Sequence, residues 1–425
     1  HALTVMLIAM SDKASASSPP SARTTAAAPT SVNQAAPVPD MPSCVDSDTH
    51  AMRLAMAWAH QALWLSNPNP RVGCVLTAAN GSVIASGFTQ AAGGAHAEAM
   101  ALRQATERGL STEGATAFVT LEPCSHVGRT PPCCDALIES GIKRVVIGAL
   151  DPNPQVAGQG LARMRNAGIE VSHGLLANES RWLNVGFFSR MLRERPWVRL
   201  KMAASSDGIT ALPNGNSQWI TSEQARADGL AFRARSCAVL TGAGTVLADN
   251  PRLNVRGLSL QRHPHLVVVD SRLQTPRDAQ LMNPTQPGRD VWLYHSGTAA
   301  LEVQEGLREA GAHLRAMGNA AGKVDLPALF ADLAQCEVNE VHVEAGSALN
   351  GSLLREGLID EVVLYIAPTL LGQGLGLSSF GPLTELVQGI DMDFSAPSLI
   401  GPDVRLQALV SGADSFLNTL PYTHT

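Results

Sequence analysis

The triplet His96-Ala97-Glu98, the pair Pro123-Cys124 and the thiol Cys133 are the residues of this chain best suited to chemistry. One imidazole and two thiolates suit the borderline-soft Zn2+ ion. Three protein ligands leave a fourth position open, as in catalytic rather than structural zinc sites. Zinc so held lowers the pKa of a bound water to about 7 and supplies a nucleophile at neutral pH. Some group must then carry the proton. Glu98 lies two residues beyond His96 at the start of a predicted helix, close to the metal without being needed as a ligand. One His and two Cys on zinc, with a separate Glu as acid/base, is the known arrangement of zinc deaminases. Cys124 and Cys133 stand nine apart, wider than the two-residue spacer of that pattern. If Cys133 opens a helix after Pro131-Pro132, the helix dipole also favours its thiolate. On residue chemistry alone, Cys134 and His126 compete for the ligand role. Two blander accounts compete with a catalytic site: buried thiols that bind nothing, and a closed structural zinc site with four protein ligands. The joint occurrence of His-x-Glu, Pro-Cys and a third Cys favours the catalytic account.

The elements around these residues read as alternating helices and strands. Met52, Ala55, Met56, Ala59 and Leu63 recur at helical spacing over 48–65. Strands are predicted at 72–77 and 83–88, joined by a tight turn at Asn80-Gly81, where both residues tolerate positive φ. A helix from His96 to about Arg108, a buried strand at 117–121, a helix at 135–140, a strand at 145–149 and a helix at 160–167 complete a first α/β layered domain with a partly parallel sheet. A second α/β stretch begins at Pro196. Its predicted strands are 197–201, 238–241, 266–270, 291–294, 341–344 and 362–367, and its predicted helices are 222–235, 327–334 and 349–356. The segment 272–287 is polar and Pro-bearing and reads as a loop. Residues 1–45, in which 27 positions are Ala, Ser, Thr or Pro, read as a disordered tail without a basic signal-peptide start. The division is therefore 1–45, 46–190 and 196–412.

Composition narrows the function classes. The 425 residues carry a formal net charge of −6 and only 4 % aromatics, which disfavours binding of long nucleic acids by electrostatics or base stacking. No apolar run approaches the roughly 18 residues of a membrane span. Seven scattered cysteines do not suggest a disulfide framework, and the cluster Cys124, Cys133, Cys134 suggests metal or catalytic thiols in a reducing, cytoplasmic setting.

The run Glu122-Pro123-Cys124-Ser125-His126-Val127-Gly128-Arg129-Thr130-Pro131-Pro132-Cys133 resembles the signature of a riboflavin-biosynthesis family, the bifunctional diaminohydroxyphosphoribosylaminopyrimidine deaminase / 5-amino-6-(5-phosphoribosylamino)uracil reductases. Asn67-Pro68-Asn69-Pro70-Arg71-Val72-Gly73 and Asp151-Pro152-Asn153-Pro154 are similar to its other deaminase motifs. The resemblance continues through Ser217-Gln218-Trp219-Ile220-Thr221-Ser222, Thr245-Val246-Leu247-Ala248-Asp249 and Val343-Glu344-Ala345-Gly346, and covers roughly 48–412. It implies an N-terminal cytidine-deaminase-like α/β/α domain and a C-terminal dihydrofolate-reductase-like α/β domain. It implies His96, Cys124 and Cys133 as zinc ligands, Glu98 as proton shuttle, Cys134 as a spare thiol, and Asn69 and His126 as substrate contacts. The family usually has a His at the position of Thr89 and a basic residue at that of Ala91, so the grip on substrate phosphate beside the deaminase site departs from the family pattern.

The second domain has no Gly-x-Gly-x-x-Gly after its first strand, and from its residues alone no cofactor is expected. Only Glu344-Ala345-Gly346-Ser347, leaving a strand and opening a helix, offers free N–H groups to a phosphate, and an ordinary strand–helix turn explains it equally well. The resemblance implies NADPH at Ala203, Trp219, Thr245, Asp249, Ser271 and the loop Gly346, Ser347, Ala348, Leu349, Asn350, Gly351, Ser352. It implies substrate at Ser217, Arg233, Leu253, Arg256 and Glu344. The two guanidinium forks suit a ribose phosphate. Zn2+ and NADPH are thus the expected cofactors and small-molecule pyrimidine ribotides the expected substrates. A homo-oligomer with no nucleic-acid or membrane partner is also expected. A tRNA-editing type of deaminase and a zinc-stabilised scaffold are the rivals. The first conflicts with the acidic balance and the long second domain; the second requires a fourth protein ligand.

Overall fold

Alternating apolar residues along each strand of the first sheet send their side chains to two different helix layers, and this pattern sets the first domain's architecture. The computed structural model describes residues 37–125, 131–153, 156–283 and 288–419. The sequence before residue 37, and with it most of the expected tail, lies outside the described residues. The chain begins with α1 (Asp48–His60), β1 (Gly73–Thr77), β2 (Val83–Phe88), α2 (Ala97–Glu107), β3 (Thr116–Leu121), α3 (Cys133–Glu139), β4 (Arg144–Ala149), α4 (Gln159–Asn166), β5 (Glu170–His173), α5 (Ala177–Leu183) and α6 (Val185–Arg193). The sheet order is β2-β1-β3-β4-β5. β1 is antiparallel to both its neighbours, and β3, β4 and β5 are parallel. Val75, Phe118 and Val146 face Met52 and Ala55 of α1. Their strand neighbours Leu76, Val119 and Ile147 face Ala101, Leu137 and Met164 on α2, α3 and α4. Helices therefore cover both faces, giving α/β/α layers.

The hairpin between β1 and β2 differs from the expected turn. Only Gly81 adopts positive φ, at 83°. The Asn80 side chain instead accepts a bond from Ser82 N–H at 3.0 Å, and the ladder shifts register between Leu76 and Thr77. The side-chain bond at Asn80 takes the place of a second left-handed residue.

The second domain continues with β6 (Trp197–Ser205), β7 (Ile209–Ala211), α7 (Glu223–Arg235), β8 (Ala238–Gly242), α8 (Ala243–Asp249), β9 (His265–Val269), β10 (Val291–His295), α9 (Leu301–Glu309), β11 (Ala312–Ala316), α10 (Leu326–Gln335), β12 (Glu340–Val343), α11 (Ser347–Arg355), β13 (Glu361–Ala367), β14 (Leu375–Gly376), β15 (Met392–Phe394), β16 (Ser398–Ile400) and β17 (Asp403–Val410). The main sheet runs β11-β10-β9-β8-β12-β6-β13-β17-β15 with β16 also on β17. Every pair from β11 to β13 is parallel, and β17 is antiparallel to β13. Leu329, Phe330 and Leu333 of α10 pack on one face, and Leu307 of α9 and Val246 of α8 on the other. The described part of the Pro-bearing segment 272–287 holds only a short 3-10 turn at Gln280–Met282.

A buried charge cluster joins the domains. Arg71, from the first domain, reaches Glu340 of β12 at 2.7 Å, and Arg199 and Arg235 share the same carboxylate at 3.2 and 3.0 Å. Asn67 Nδ2 donates to Arg235 O at 2.9 Å, and Asn339 Nδ2 donates to Pro68 O at 2.7 Å. Trp197, although on the second sheet, packs with Phe188 of α6 and with Phe416 and Leu417, which return from the chain's end onto the first domain. The loop carrying Asn69 is thus pinned from the second domain.

Candidate metal centre and reductase cleft

Helix α2 carries two of the candidate deaminase residues, and a close approach sets its position. A Cβ on Gly87 of β2 would lie 2.4 Å from Ala97 O and 2.6 Å from Ala101 N, so only glycine lets α2 settle on β2. His96 is the N-cap of α2, and its ring makes no capping bond. Its Nδ1 instead lies 3.3 Å from Cys133 Sγ and 3.6 Å from Cys124 Sγ. Cys133 is the first residue of α3, and its N–H donates to Cys124 Sγ at 3.3 Å. The three ligand atoms all lie within 4.8 Å of one another. A tetrahedral ion with Zn–N and Zn–S bonds of about 2.1 and 2.3 Å needs ligand atoms roughly 3.5–3.8 Å apart, so this donor set fits zinc.

The local electrostatics already suit a cation. The Cys133 thiol's hydrogen bond, working against burial, holds the Cys124 thiol down to about 4. The bond to Cys124 raises the His96 imidazole despite its burial. Glu98 is only 3 % exposed, and burial followed by the Cys124 thiolate pushes its carboxyl up to about 7. It sits in the first turn of α2, where the helix dipole favours a negative charge. Cys134 is fully buried in the core with Leu137 and Val145, and burial pushes its thiol up to about 11. Core packing, not ligation, accounts for it. His126 lies outside the described residues. Asn69 is half-buried in the 67–71 loop, where its N–H donates to Ser66 O at 2.9 Å. Thr89 is buried and bonds back to Val72, accepting from its N–H at 3.1 Å, so it offers no cation to a phosphate.

Sequence reasoning missed Glu122. Its carboxylate accepts the N–H groups of Asp151 at 3.2 Å, Gly158 at 3.0 Å and Gly160 at 3.1 Å. It ties the Asp151-Pro152-Asn153 loop to the strand end that carries Cys124. An acid directly before Pro-Cys was the available signal.

In the second domain the C-terminal ends of the parallel strands open into a cleft of about 1400 Å3. That exceeds the usual ligand pocket of about 300–1,000 Å3 and leaves room for a dinucleotide beside a second ligand. Of the implied residues, Ala203, Trp219, Thr245, Asp249, Ser271, Gly346, Ser347, Ala348, Leu349 and Asn350 line it, as do Ser217, Arg233, Leu253, Arg256 and Glu344. Gly351 and Ser352 do not line it. A Cβ on Gly351 would lie 2.4 Å from Ser379 O, and Ser352 Oγ donates to Ala348 O at 3.1 Å. The first turn of α11 faces the cleft with no side-chain cap at Gly346, which leaves its amides for a phosphate. The cleft therefore fits NADPH.

Arg233 does not stand free. Its Nε and Nη2 grip the two oxygens of Glu344, the latter at 2.8 Å, and its Nη1 donates to Asn254 O at 2.9 Å. Against the cost of burial, this guanidinium holds the Glu344 carboxyl well below its usual range. Arg256 is exposed in the same cleft. Replacing Arg233 by Ala is expected to leave the largely buried Glu344 without its bidentate partner, with His342 Nε2 at 3.3 Å and the nearby Lys201 left to offset its charge. The expected cost is about 2–3 kcal/mol, somewhat below that of breaking a fully buried pair, and a thermal melt beside a reductase assay would measure it.

A family model described as the cytidine and deoxycytidylate deaminase zinc-binding region matches residues 45–149, and one described as the RibD C-terminal domain matches 196–404. The riboflavin biosynthesis protein RibD of Escherichia coli (strain K12) is 43 % identical over 372 residues, covering 84 % of this chain and 98 % of the relative. That of Actinobacillus pleuropneumoniae is 40 % identical over 376 residues, covering 88 % and 98 %. The solved structure of Acinetobacter baumannii RibD, form 1, superposes with a TM-score of 0.76 at 40 % identity, covering 85 % of this chain and 98 % of the other. The Thermotoga maritima diaminohydroxyphosphoribosylaminopyrimidine deaminase / 5-amino-6-(5-phosphoribosylamino)uracil reductase gives 0.75 at 32 % identity, with the same coverage. Matched along both domains and in fold, this chain belongs to the riboflavin-biosynthesis family of bifunctional enzymes that join a zinc deaminase to an NADPH-dependent reductase.

Proposed function

We propose that residues 46–190 deaminate 2,5-diamino-6-(5-phosphoribosylamino)pyrimidin-4-one and that residues 196–412 then reduce the ribosyl side chain of 5-amino-6-(5-phosphoribosylamino)uracil to ribityl. The observation that carries this reading is the His96–Cys124–Cys133 cluster beside buried Glu98, in one chain with a separate dinucleotide-sized cleft. Zinc, when bound, supplies an activated water and an electrophilic centre. Glu98 takes the proton from the attacking water and returns it to the leaving amine, and its burial keeps bulk water from competing for that proton. Cys133 and His96 are presented by helix ends, so their positions follow from the packing of α2 and α3 on the sheet.

NADPH, when bound, supplies the hydride for the second step. Arg233 orients Glu344 toward the ribotide, and exposed Arg256 meets its phosphate. Lys201 lies in the same cleft within the field of Glu344, while Asp249 is exposed at the end of α8. This favours Lys201 as the group assisting proton transfer. Incubation with the diamino ribotide should release ammonia first, and NADPH oxidation should follow. NADPH oxidation without ammonia release would overturn the proposed order.

The setting is cytoplasmic, where free thiolate ligands persist. No helix among the described residues is long and apolar enough to cross a membrane. The partner we propose is a second copy of the chain. Phe394 on edge strand β15, Leu399 on β16, and nearby Leu386 and Val387 are all exposed. An apolar sheet edge of this kind calls for a cover. Sedimentation should show a dimer or larger, and Phe394→Asp with Leu399→Asp should shift it to monomer. A wild-type monomer at micromolar concentration would contradict this.

A further inference from the structure

Two cations at one flank of the reductase cleft have no part in the chemistry above. Arg272 and Lys323 both line the cleft and both are exposed. Neither has an acidic partner among the described residues. They come from distant segments that the fold draws together. Ser271, immediately before Arg272, accepts the N–H of Val324 at 3.1 Å on its Oγ, and Val324 immediately follows Lys323. A bridge between Gly318 and Val324 closes the hairpin that carries the lysine. Ser296 Oγ donates to Ser271 O at 2.7 Å and braces the contact from the next strand.

The acid at this point of the cleft is turned inward. Asp270, at the end of β9, is 1 % exposed, and its Oδ2 accepts both the N–H and the Oγ1 of Thr275 at 2.7 Å. In doubly wound dinucleotide-binding folds a carboxylate accepts a bond from the ribose 2′-hydroxyl of NAD, whereas a nearby Arg accommodates the 2′-phosphate of NADP, and the same charge logic applies to this cleft. Here Oδ2 is held by the loop and Oδ1 is buried without a hydrogen-bond partner among the described residues, so the carboxylate is enclosed in the fold, and the exposed Arg272 and Lys323 are what this point of the cleft offers a ligand. The position along the sheet also suits the adenosine end. β6, β12, β8 and β9 are consecutive neighbours, so at about 4.8 Å per strand the end of β9 lies roughly 14 Å across the sheet from β6, whose middle residue is Lys201. An extended dinucleotide bridges such a span, and α11, which follows β12, starts between its two ends.

We propose that Arg272 and Lys323 form the 2′-phosphate subsite through which this reductase selects NADPH over NADH. The proposal rests on the reading of this cleft as the dinucleotide site. Calorimetric titration of the full chain with NADPH, NADH, adenosine 2′,5′-bisphosphate and adenosine 5′-phosphate tests it. Arg272→Ala and Lys323→Ala are each expected to raise the Kd for NADPH about tenfold, and the double variant on the order of a hundredfold, from loss of charge-assisted bonds. NADH and adenosine 5′-phosphate should bind the variants as they bind wild type, and Arg272→Lys should keep most of the preference. Equal weakening of NADPH and NADH, or an unchanged preference in the double variant, would overturn the subsite. A wild-type chain that binds neither dinucleotide would instead overturn the reading of the cleft.

Discussion

Glu98→Gln is expected to retain zinc at wild-type stoichiometry while ammonia release falls by roughly 10²–10⁴-fold, the usual contribution of a general acid–base group. The substitution keeps the shape of a side chain that is 3 % exposed and sits at the first turn of α2. It removes a carboxylate placed beside the His96–Cys124–Cys133 cluster that is not part of that cluster. A glutamine can still hydrogen-bond, so binding should persist, but it cannot carry a proton. Metal analysis with an ammonia assay checks both halves. Zinc loss in this variant would make Glu98 a ligand and not a shuttle.

Cys133→Ser is expected to lose zinc and deaminase activity together. Serine replaces a thiolate with a poor zinc ligand and removes one of three donors. The stability that zinc confers is lost with it: about 4 kcal/mol where free zinc exceeds its dissociation constant a thousandfold. Cys134→Ala is the matched control. Its thiol is buried in the core beside Leu137, so alanine should cost only about 1 kcal/mol of packing and leave zinc in place. Zinc content by mass spectrometry and a melt with and without chelator read both variants. Exchange of the two outcomes would move the ligand by one residue.

The grouping of His96, Cys124 and Cys133 was legible because each stands in a short local pattern. His96 and Glu98 share one turn, and Cys133 follows two prolines that prepare a helix start; the structure opens α3 at that residue. The buried parallel strands β8, β9 and β10 were legible from short apolar runs. Strand β5, with only four residues, and α9, β15 and β16, with mixed or exposed faces, lack a period strong enough to read. Helices α5 and α6 escaped because part of their apolar face packs on Trp197 and Phe416, residues far off in the chain. The same holds for the junction at Glu340. No spacing rule links Arg71 to an acid 269 positions later, yet they meet at 2.7 Å in the interior. Arg233 illustrates the limit for function. Its type suggested a phosphate, but its fork is taken by Glu344, a partner that only the fold brings near.

The central claim is that one chain holds two chemically separate sites, and NADPH oxidation by the Glu98→Gln enzyme tests it most directly. Supplied with 5-amino-6-(5-phosphoribosylamino)uracil, this variant should oxidise NADPH at the wild-type rate. Supplied with the diaminopyrimidinone ribotide, it should oxidise almost none, because the product that feeds the second cleft is not made. Loss of oxidation with both substrates, or undiminished oxidation with both, would contradict the account.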